Sequence, residues 1–206
     1  IIALWGLETN FGMYLGKFHA PSALATLAFD GRRGEFFRKE LLNALKIIDE
    51  GHISANNMKS GWAGAIGQAQ FMPSSFLNYA QDWDGDGKKD LWGNEKDVFA
   101  SIAFYLKSAD WKNDITWGRQ VLLPEDKNFF KLAKNKKYLT LREWENLGVR
   151  NLDGSLLPER NLSARLITSE TSKIAFLGYS NFDSILKWNR SIYFAASVGR
   201  LSDALR

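Results

Sequence analysis

Apolar residues recur at helical spacing through the first half of the chain, and this periodicity constrains the fold more than any other feature of the sequence. Residues 34–50 carry such a stripe, and Gly51 follows as a helix stop. The stripe consists of Phe37, Leu41, Leu45 and Ile48. Further helices are predicted over residues 22–29, over 74–80 with Ser74 or Ser75 as the cap, and over 97–108. The first half of the chain is therefore predicted to be a helical core.

The pattern changes after residue 111. Residues 120–124 and 164–167 favour short strands, while Thr140 and Glu143 have the spacing of a capping box that begins a helix. A helical pattern resumes at about Asn181. We therefore predict a mainly α (α+β) fold in three segments. These are a helical core at 1–110, a small mixed α/β subdomain at 111–180, and a helical segment at 181–206 that packs back on the core.

Composition narrows the chemistry that the chain can perform. The 206 residues include no cysteine and two histidines, which excludes cysteine nucleophiles and Cys-ligated metals and leaves little room for a His-rich metal site. A charged fraction of 24% excludes a membrane bundle. The net charge of +4 is modest, and the basic cluster at 134–137 lacks an RNA-binding signature, so no nucleic-acid partner is expected.

An acidic loop at residues 82–87 is the strongest local motif. Asp82, Asp84 and Asp86 alternate along it, as in loops that bind Ca²⁺, and Lys88 would add its backbone carbonyl. The alternative is a solvated acidic turn. The twelfth position of the loop is Gly93, where an EF-hand has a bidentate glutamate.

The closing ligand of such a site must therefore come from elsewhere in the sequence. Asp97 is the better candidate for this ligand, and Asp90 and Glu95 are the alternatives. Because the loop is single, the motif favours a structural Ca²⁺ site over a calcium sensor.

Glu8 is a carboxylate among mostly apolar residues. In a continuous helix it would share a face with Trp5 and Phe11, and burial there would raise the carboxyl pKa as a general acid requires. The alternative is that Glu8 points outward or bonds a backbone amide. We expect no other carboxylate to lie in a comparably apolar setting.

Several motifs occur together in order along almost the whole chain. They are ETNFG at 8–12, ALATL at 23–27, GAIGQAQFMPSSF at 64–76, the acidic loop with Leu91-Trp92, and Asn181-Phe182. This set resembles the membrane-bound lytic transglycosylase B family, whose members cut peptidoglycan glycan strands. The resemblance implies a lysozyme-like core with Glu8 as the single catalytic acid and base, cleavage between N-acetylmuramic acid and N-acetylglucosamine, and 1,6-anhydromuramyl products.

The resemblance also implies substrate contacts and agrees with a Ca²⁺ site closed by Asp97. The implied substrate-binding residues are Gln70, Tyr105, Ser60, Trp188, Asn189, Arg32 and Arg33. Two positions depart from the family pattern: Gly61 aligns with a serine, for which the adjacent Ser60 is the substitute, and Trp188 stands where a tyrosine is usual.

The implied partner is the peptidoglycan glycan strand, and a monomer in the periplasm is expected. The chain opens on Ile1 without an initiator Met, so we expect sequence upstream, where the lipid anchor of an outer-membrane lipoprotein would lie. Two alternatives stay open at this point: a peptidoglycan hydrolase on the same fold, and a cell-wall-binding protein without catalytic activity.

Overall fold

The computed structural model describes residues 1–125, 128–168 and 174–205. By contact the chain divides into two compact units, Ile1–Leu106 and Lys107–Arg206. Parts of the predicted segments 111–180 and 181–206 lie outside the described residues. Within the described residues, no helix has the length and apolarity needed to cross a bilayer.

The first unit is built mainly from helices. They are α1 (Ile2–Thr9), α2 (Ala20–Asp30), α3 (Gly34–Asp49), α4 (Pro73–Tyr79) and α5 (Glu95–Ser108), the last of which ends just beyond the unit boundary. A short antiparallel pair, β1 (Phe18–His19) with β2 (Lys59–Ser60), and a 3₁₀ turn at Ala55–Asn57 complete the regular elements. Helix α3 packs against both α2 and α4. The helices predicted over the first half of the chain are confirmed.

The buried face of α3 differs from the predicted stripe. Phe37 is buried as expected, but the face continues through Glu40, Ala44 and Ile47, and Leu45 is 47% exposed. The difference arises because Glu40 is satisfied by a partner on α4: the backbone N–H and the hydroxyl of Ser74 donate to its two carboxylate oxygens, at 2.8 and 2.6 Å. A buried carboxyl is tolerated only with such partners.

The same contact corrects the predicted cap of α4. The helix begins at Pro73, its N-cap residue is Met72, and no side chain of its own segment caps it. Ser74 lies within the first turn, where its N–H has no partner inside the helix. Glu40 accepts that N–H from outside the segment, so the cap is tertiary rather than local.

The second unit contains an antiparallel sheet flanked by helices. Its elements are β3 (Gly118–Leu122), α6 (Phe130–Lys134), β4 (Tyr138–Thr140), α7 (Leu141–Asn146), β5 (Arg150–Asn151), β6 (Ser163–Ile167), β7 (Ala175–Gly178), α8 (Ser180–Trp188) and α9 (Ile192–Ala204). The strand order is β4-β6-β7-β3-β5, with Gly118 opposite Gly178 and Leu166 opposite Leu177. The fully buried Trp144 and Leu177 belong to its core.

Two predictions for the second unit are confirmed. Thr140 and Glu143 form the capping box of α7, and the hydrogen bonds from Thr140 lower the pKa of the Glu143 carboxyl. The helical pattern from Asn181 becomes α8 and α9, which belong to this unit by contact. Phe182 on α8 lies 6.2 Å from the Trp117 ring, centroid to centroid. The packing of 181–206 on the core stays a prediction.

Candidate active site and acidic loop

Glu8 lies in the last turn of α1 and is half-buried. The helix ends at Thr9 because Asn10 takes a left-handed conformation, with φ of 50°, and Phe11 follows with φ of 59°. The prediction that Phe11 shares a helical face with Glu8 is therefore wrong. The turn instead folds the Phe11 ring back against Trp5, at 5.6 Å between ring centroids.

Hydrogen bonds hold the end of α1 against the loop at residues 64–72. The Thr9 hydroxyl donates to the Gln68 carbonyl oxygen at 2.9 Å and accepts the Gly12 N–H at 3.1 Å. The Trp5 indole Nε1–H donates to Gln68 Oε1 at 2.8 Å. Trp5 and Thr9 stand on either side of Glu8 in the sequence, so these contacts fix the backbone from which the Glu8 side chain projects.

Gln70, the predicted substrate-binding glutamine, lies on the same loop with φ of 48°. Its Nε2 donates to the Gly67 carbonyl at 3.0 Å, and its Oε1 lies 3.1 Å from the point where a Cβ on Gly61 would stand. The side chain is partly exposed. The amide oxygen thus lies beside Gly61, and the absence of a side chain at Gly61 leaves that space open.

Tyr105 on α5 packs beside this loop. Its ring centroid lies 5.7 Å from that of Phe71 and 4.7 Å from that of Tyr79. Burial, with a smaller contribution from Tyr79, raises the pKa of the Tyr105 hydroxyl, which therefore stays protonated at neutral pH and can donate a hydrogen bond.

Three other predicted contact residues in the first unit differ in exposure. Arg32 and Arg33 are exposed between α2 and α3, and the Arg33 guanidinium carbon lies 4.2 Å from the centroid of the Phe36 ring. Ser60 is fully buried, and its hydroxyl donates to the Phe18 carbonyl at 3.4 Å. The structure therefore does not present the Ser60 hydroxyl to a ligand.

The remaining two predicted substrate residues belong to the second unit. Trp188 ends α8 and is partly buried, and Asn189 follows it and is exposed. Asn189 Oδ1 accepts the backbone N–H of Ser191 at 3.0 Å, next to the start of α9.

The acidic loop brings its three aspartates together. One carboxylate oxygen from each of Asp82, Asp84 and Asp86 lies within 4.8 Å of the others. The two oxygens of Asp82 also accept the N–H groups of Gly85 and Gly87, at 2.7 and 2.9 Å. In the described part of the chain, none of the ion pairs joins a lysine to these carboxylates. This donor set of clustered oxygens fits a hard divalent cation.

Asp97, the predicted closing ligand, has a second role. It is fully buried on α5, and its two oxygens accept the N–H groups of Trp83 and Asp90, both at 2.8 Å. It therefore ties Trp83, near the start of the acidic loop, to Asp90, three residues beyond its end.

His52 supports the same loop from outside it. Its Nδ1 accepts the backbone N–H of Lys89 at 3.2 Å. Burial, followed by the charge of Lys89, lowers the pKa of the imidazole, so the ring is neutral and able to accept at pH 7.

Glu8 is not the most buried carboxylate of the first unit. Asp97 is 0% and Glu40 is 3% exposed, so both are more buried than Glu8. Each is satisfied by donors from another segment of the chain, which the sequence around it does not show.

Gln68 is the site residue that the sequence analysis missed. In the sequence it appears only as one residue of the 64–76 motif. In the structure it contacts α1 through both its side chain and its backbone. The side chain of Gln68 is buried and that of Gln70 is partly exposed, and the two-residue spacing between them does not predict this difference.

The family defined by this fold and sequence is that of the SLT transglycosylases. The family described as "Transglycosylase SLT domain" matches residues 1–203, and the chain belongs to it. The resemblance predicted from the motifs is confirmed.

Particular relatives agree with this assignment. The chain is 32% identical to membrane-bound lytic murein transglycosylase B of Escherichia coli over its whole length, which is 56% of that protein. SltB3 from Pseudomonas aeruginosa in complex with NAG-NAM-pentapeptide is 42% identical with a TM-score of 0.94, over 98% of this chain and 55% of that one. The chain thus spans about half the length of these relatives.

A third relative bears on the fold class and on the acidic loop. The E. coli lytic transglycosylase Slt35 in complex with calcium is 30% identical with a TM-score of 0.82, over 98% of this chain and 64% of that one. The predicted α+β, lysozyme-like fold class is confirmed by this match.

Proposed function

We propose that this chain is a lytic transglycosylase that cleaves the β-1,4 bond between N-acetylmuramic acid and N-acetylglucosamine in peptidoglycan, with Glu8 as its single acid and base. The observation that carries the proposal is the hydrogen-bonded junction between α1 and the loop at 64–72. Trp5 and Thr9 bond Gln68 there, so Glu8 is held beside the loop that carries Gln70. The relatives support the substrate, since SltB3 is described with NAG-NAM-pentapeptide and with NAG-anhNAM-pentapeptide.

The chemistry needs only one carboxyl group. Glu8 donates its proton to the glycosidic oxygen as the bond from that oxygen to C1 breaks. The carboxylate then accepts the proton of the muramyl C6 hydroxyl as the C6 oxygen bonds to C1, which returns Glu8 to its acid form. The nucleophile belongs to the substrate, so the second carboxylate of ordinary glycosidases is unnecessary.

The neighbouring side chains supply binding groups. Gln70 offers an amide to sugar hydroxyl or acetamido groups, and the protonated Tyr105 offers a hydroxyl. The exposed Arg32 and Arg33 are suited to the carboxylates of peptide stems. Trp188 and Asn189 of the second unit are proposed as further sugar contacts, by stacking and by hydrogen bonding respectively. Ser60 is not retained, because its hydroxyl is buried.

We expect the product to distinguish this function from its alternatives. Purified peptidoglycan should be digested with the protein and the soluble fragments analysed by mass spectrometry. Anhydromuramyl ends are the expected result. Reducing ends, each heavier by one water, would instead identify a hydrolase, and the absence of soluble product under conditions where the protein sediments with the sacculi would identify a binding protein.

The acidic loop is proposed as a structural Ca²⁺ site. Asp82, Asp84 and Asp86 supply side-chain oxygens, Lys88 supplies its carbonyl, and Asp97 closes the site. Three carboxylates this close repel one another, which raises the free energy of the folded loop. A bound divalent cation offsets this repulsion. Asp97 can serve the loop and the cation together, since each carboxylate oxygen has two acceptor positions.

Calcium is expected to raise the melting temperature reversibly. At a free concentration about a hundredfold above Kd, binding to the folded state adds about 2.7 kcal/mol, or about 5 °C or more for a chain of this size. Differential scanning calorimetry with Ca²⁺ and then with excess chelator measures the shift. The Asp84→Asn variant should lose it.

A matched control for that experiment is Asp114→Asn, an exposed aspartate outside the loop. It should keep the full calcium shift. A metal-free crystal in which Lys88 or Lys89 orders the loop would contradict the site.

The proposed setting is the periplasm, with the glycan strands as partner and the protein acting as a monomer. The relative from E. coli is described as membrane-bound.

A further inference from the structure

Gln68 is a buried amide with a partner for each of its polar groups. The residue is 7% exposed. Its Oε1 accepts the Trp5 indole N–H at 2.8 Å and its Nε2 donates to the Trp92 carbonyl at 3.0 Å. Its backbone N–H donates to the Leu91 carbonyl at 2.7 Å, and its carbonyl accepts the Thr9 hydroxyl at 2.9 Å. Both the side chain and the backbone of Gln68 therefore join the same two segments.

The first of these segments is the end of α1. Trp5 and Thr9 lie three residues before and one residue after Glu8, so both bonds act on the helical turn that carries it. The Trp5 ring is further held by an edge contact with Phe99 on α5, at 5.0 Å between centroids. Movement of Gln68 would therefore change the direction from which the Glu8 side chain projects.

The second segment, residues 90–93, begins three residues after the end of the acidic loop. Asp90 donates its N–H to Asp97, which also holds Trp83 near the start of the loop. The N–H groups of Trp92 and Gly93 both donate to Asp90 Oδ1 at 2.9 Å. The Trp92 residue whose carbonyl Gln68 binds is thus linked by hydrogen bonds through Asp90 and Asp97 to Trp83 of the acidic loop.

Close packing leaves little freedom in the connection between these segments. A Cβ on Gly12 would lie 2.3 Å from Gln68 Oε1, and a Cβ on Gly67 would lie 2.8 Å from the Leu91 carbonyl oxygen. Both glycines also have positive φ, at 82° and 66°. The chain therefore approaches Gln68 at Gly12, and Leu91 at Gly67, at distances that only glycine allows.

We propose that Gln68 is a positioning residue that couples the acidic loop to the helix carrying Glu8. When a divalent cation orders the loop, residues 90–93 become fixed, and Gln68 transmits this order to Trp5 and Thr9. The inference rests on the proposed function only in its effect on turnover, because the coupling itself concerns contacts within the folded chain.

Glutamine is suited to this role because its planar amide has an acceptor at one end and donors at the other. Its Oε1 accepts the indole N–H of Trp5, and its Nε2 donates to the Trp92 carbonyl. Methionine has a similar length but lacks both strong groups, so Gln68→Met breaks both side-chain contacts with little change in volume. The loss leaves the part-buried indole N–H of Trp5 and carbonyl of Trp92 without these partners.

The test follows the Trp5 indole N–H by ¹H–¹⁵N NMR, with the signal assigned from its absence in Trp5→Phe. In the wild-type chain, Ca²⁺ is expected to shift this signal and slow its exchange with solvent. In Gln68→Met the Ca²⁺ effect on Trp5 should be lost while the Ca²⁺ effect on melting temperature remains. Turnover should fall about tenfold or more through kcat, with KM nearly unchanged.

The matched control is Gln120→Met in the second unit, where the glutamine contacts Arg200. It should keep the Trp5 response. If Gln68→Met does not fold, Trp5→Phe serves instead: it keeps an aromatic ring but removes the donor, and its kcat should no longer depend on Ca²⁺.

Two results would overturn the coupling: no Ca²⁺-dependent change at Trp5 in the wild-type chain, or an undiminished change in Gln68→Met. Neither depends on lytic activity. Failure of the proposed function would appear separately, as normal turnover in Glu8→Gln with the Trp5 response intact.

Discussion

We expect the replacement of Glu8 with glutamine to lower the rate of the proposed glycan cleavage by about 10²–10⁴-fold, the contribution typical of general acid–base catalysis. Glutamine keeps the size of the side chain and can still accept a hydrogen bond, but it cannot give a proton to the glycosidic oxygen. Since Glu8 is proposed to act as the base as well, both halves of the reaction are affected. The measurement is the rate at which soluble muropeptides are released from purified peptidoglycan by Glu8→Gln and by the wild-type chain.

The matched control is Glu35→Gln, at a glutamate on α3 whose side chain is 88% exposed and pairs only weakly with Lys39. This variant should retain the wild-type rate. Circular dichroism and melting temperature should be nearly unchanged in both variants. Normal activity of a folded Glu8→Gln would reject Glu8 as the acid and base.

The elements that were predicted well depend on short-range signals. The capping box of α7 requires only Thr140 and Glu143, three residues apart, and both of its hydrogen bonds form as expected. The cap of α4 was predicted by the same reasoning and was wrong, because the group that accepts the Ser74 N–H comes from Glu40, which is 34 residues away. Local spacing cannot indicate a partner at that distance.

The end of α1 shows the same limit at the candidate site. Helical spacing placed Phe11 beside Glu8, but the left-handed Asn10 ends the helix first. Asparagine and the later Gly12 are residues that tolerate positive φ, so a sequence signal for the turn was present. The family resemblance identifies Glu8 and Gln70, whereas the hydrogen bonds from Gln68 to Trp5 and Thr9 join residues far apart in the sequence and are visible only in the fold.

The buried face of α3 differs from the predicted one for an energetic reason. Periodicity assigns leucines to the interior and glutamates to solvent. In the structure Leu45 is exposed and Glu40 is buried. Burial of Glu40 is stabilised by two donors from Ser74, and nothing in the residues of α3 indicates them. The cost of removing such a group should accordingly be large.

Glu40→Met is expected to destabilise the protein by about 3 kcal/mol, which for a chain of this size lowers the melting temperature by about 6–12 °C. Methionine occupies a similar volume, so the effect comes from hydrogen bonds rather than from a cavity. The substitution leaves the N–H and the hydroxyl of Ser74 without their acceptors at the buried start of α4. Urea denaturation followed by tryptophan fluorescence and by circular dichroism measures the change in the free energy of unfolding.

Two further variants separate the causes. Glu35→Met makes the same substitution on the exposed face of α3 and should change the free energy by less than about 0.5 kcal/mol. Ser74→Ala removes the hydroxyl donor to Glu40 but keeps the backbone N–H bond, so its cost should be about 1.5 kcal/mol, smaller than that of Glu40→Met. Equal losses in Glu40→Met and Glu35→Met would show that the contact between α3 and α4 does not stabilise the unit. Because the cap of α4 comes from α3, the larger loss in Glu40→Met should include both the start of α4 and its packing on α3.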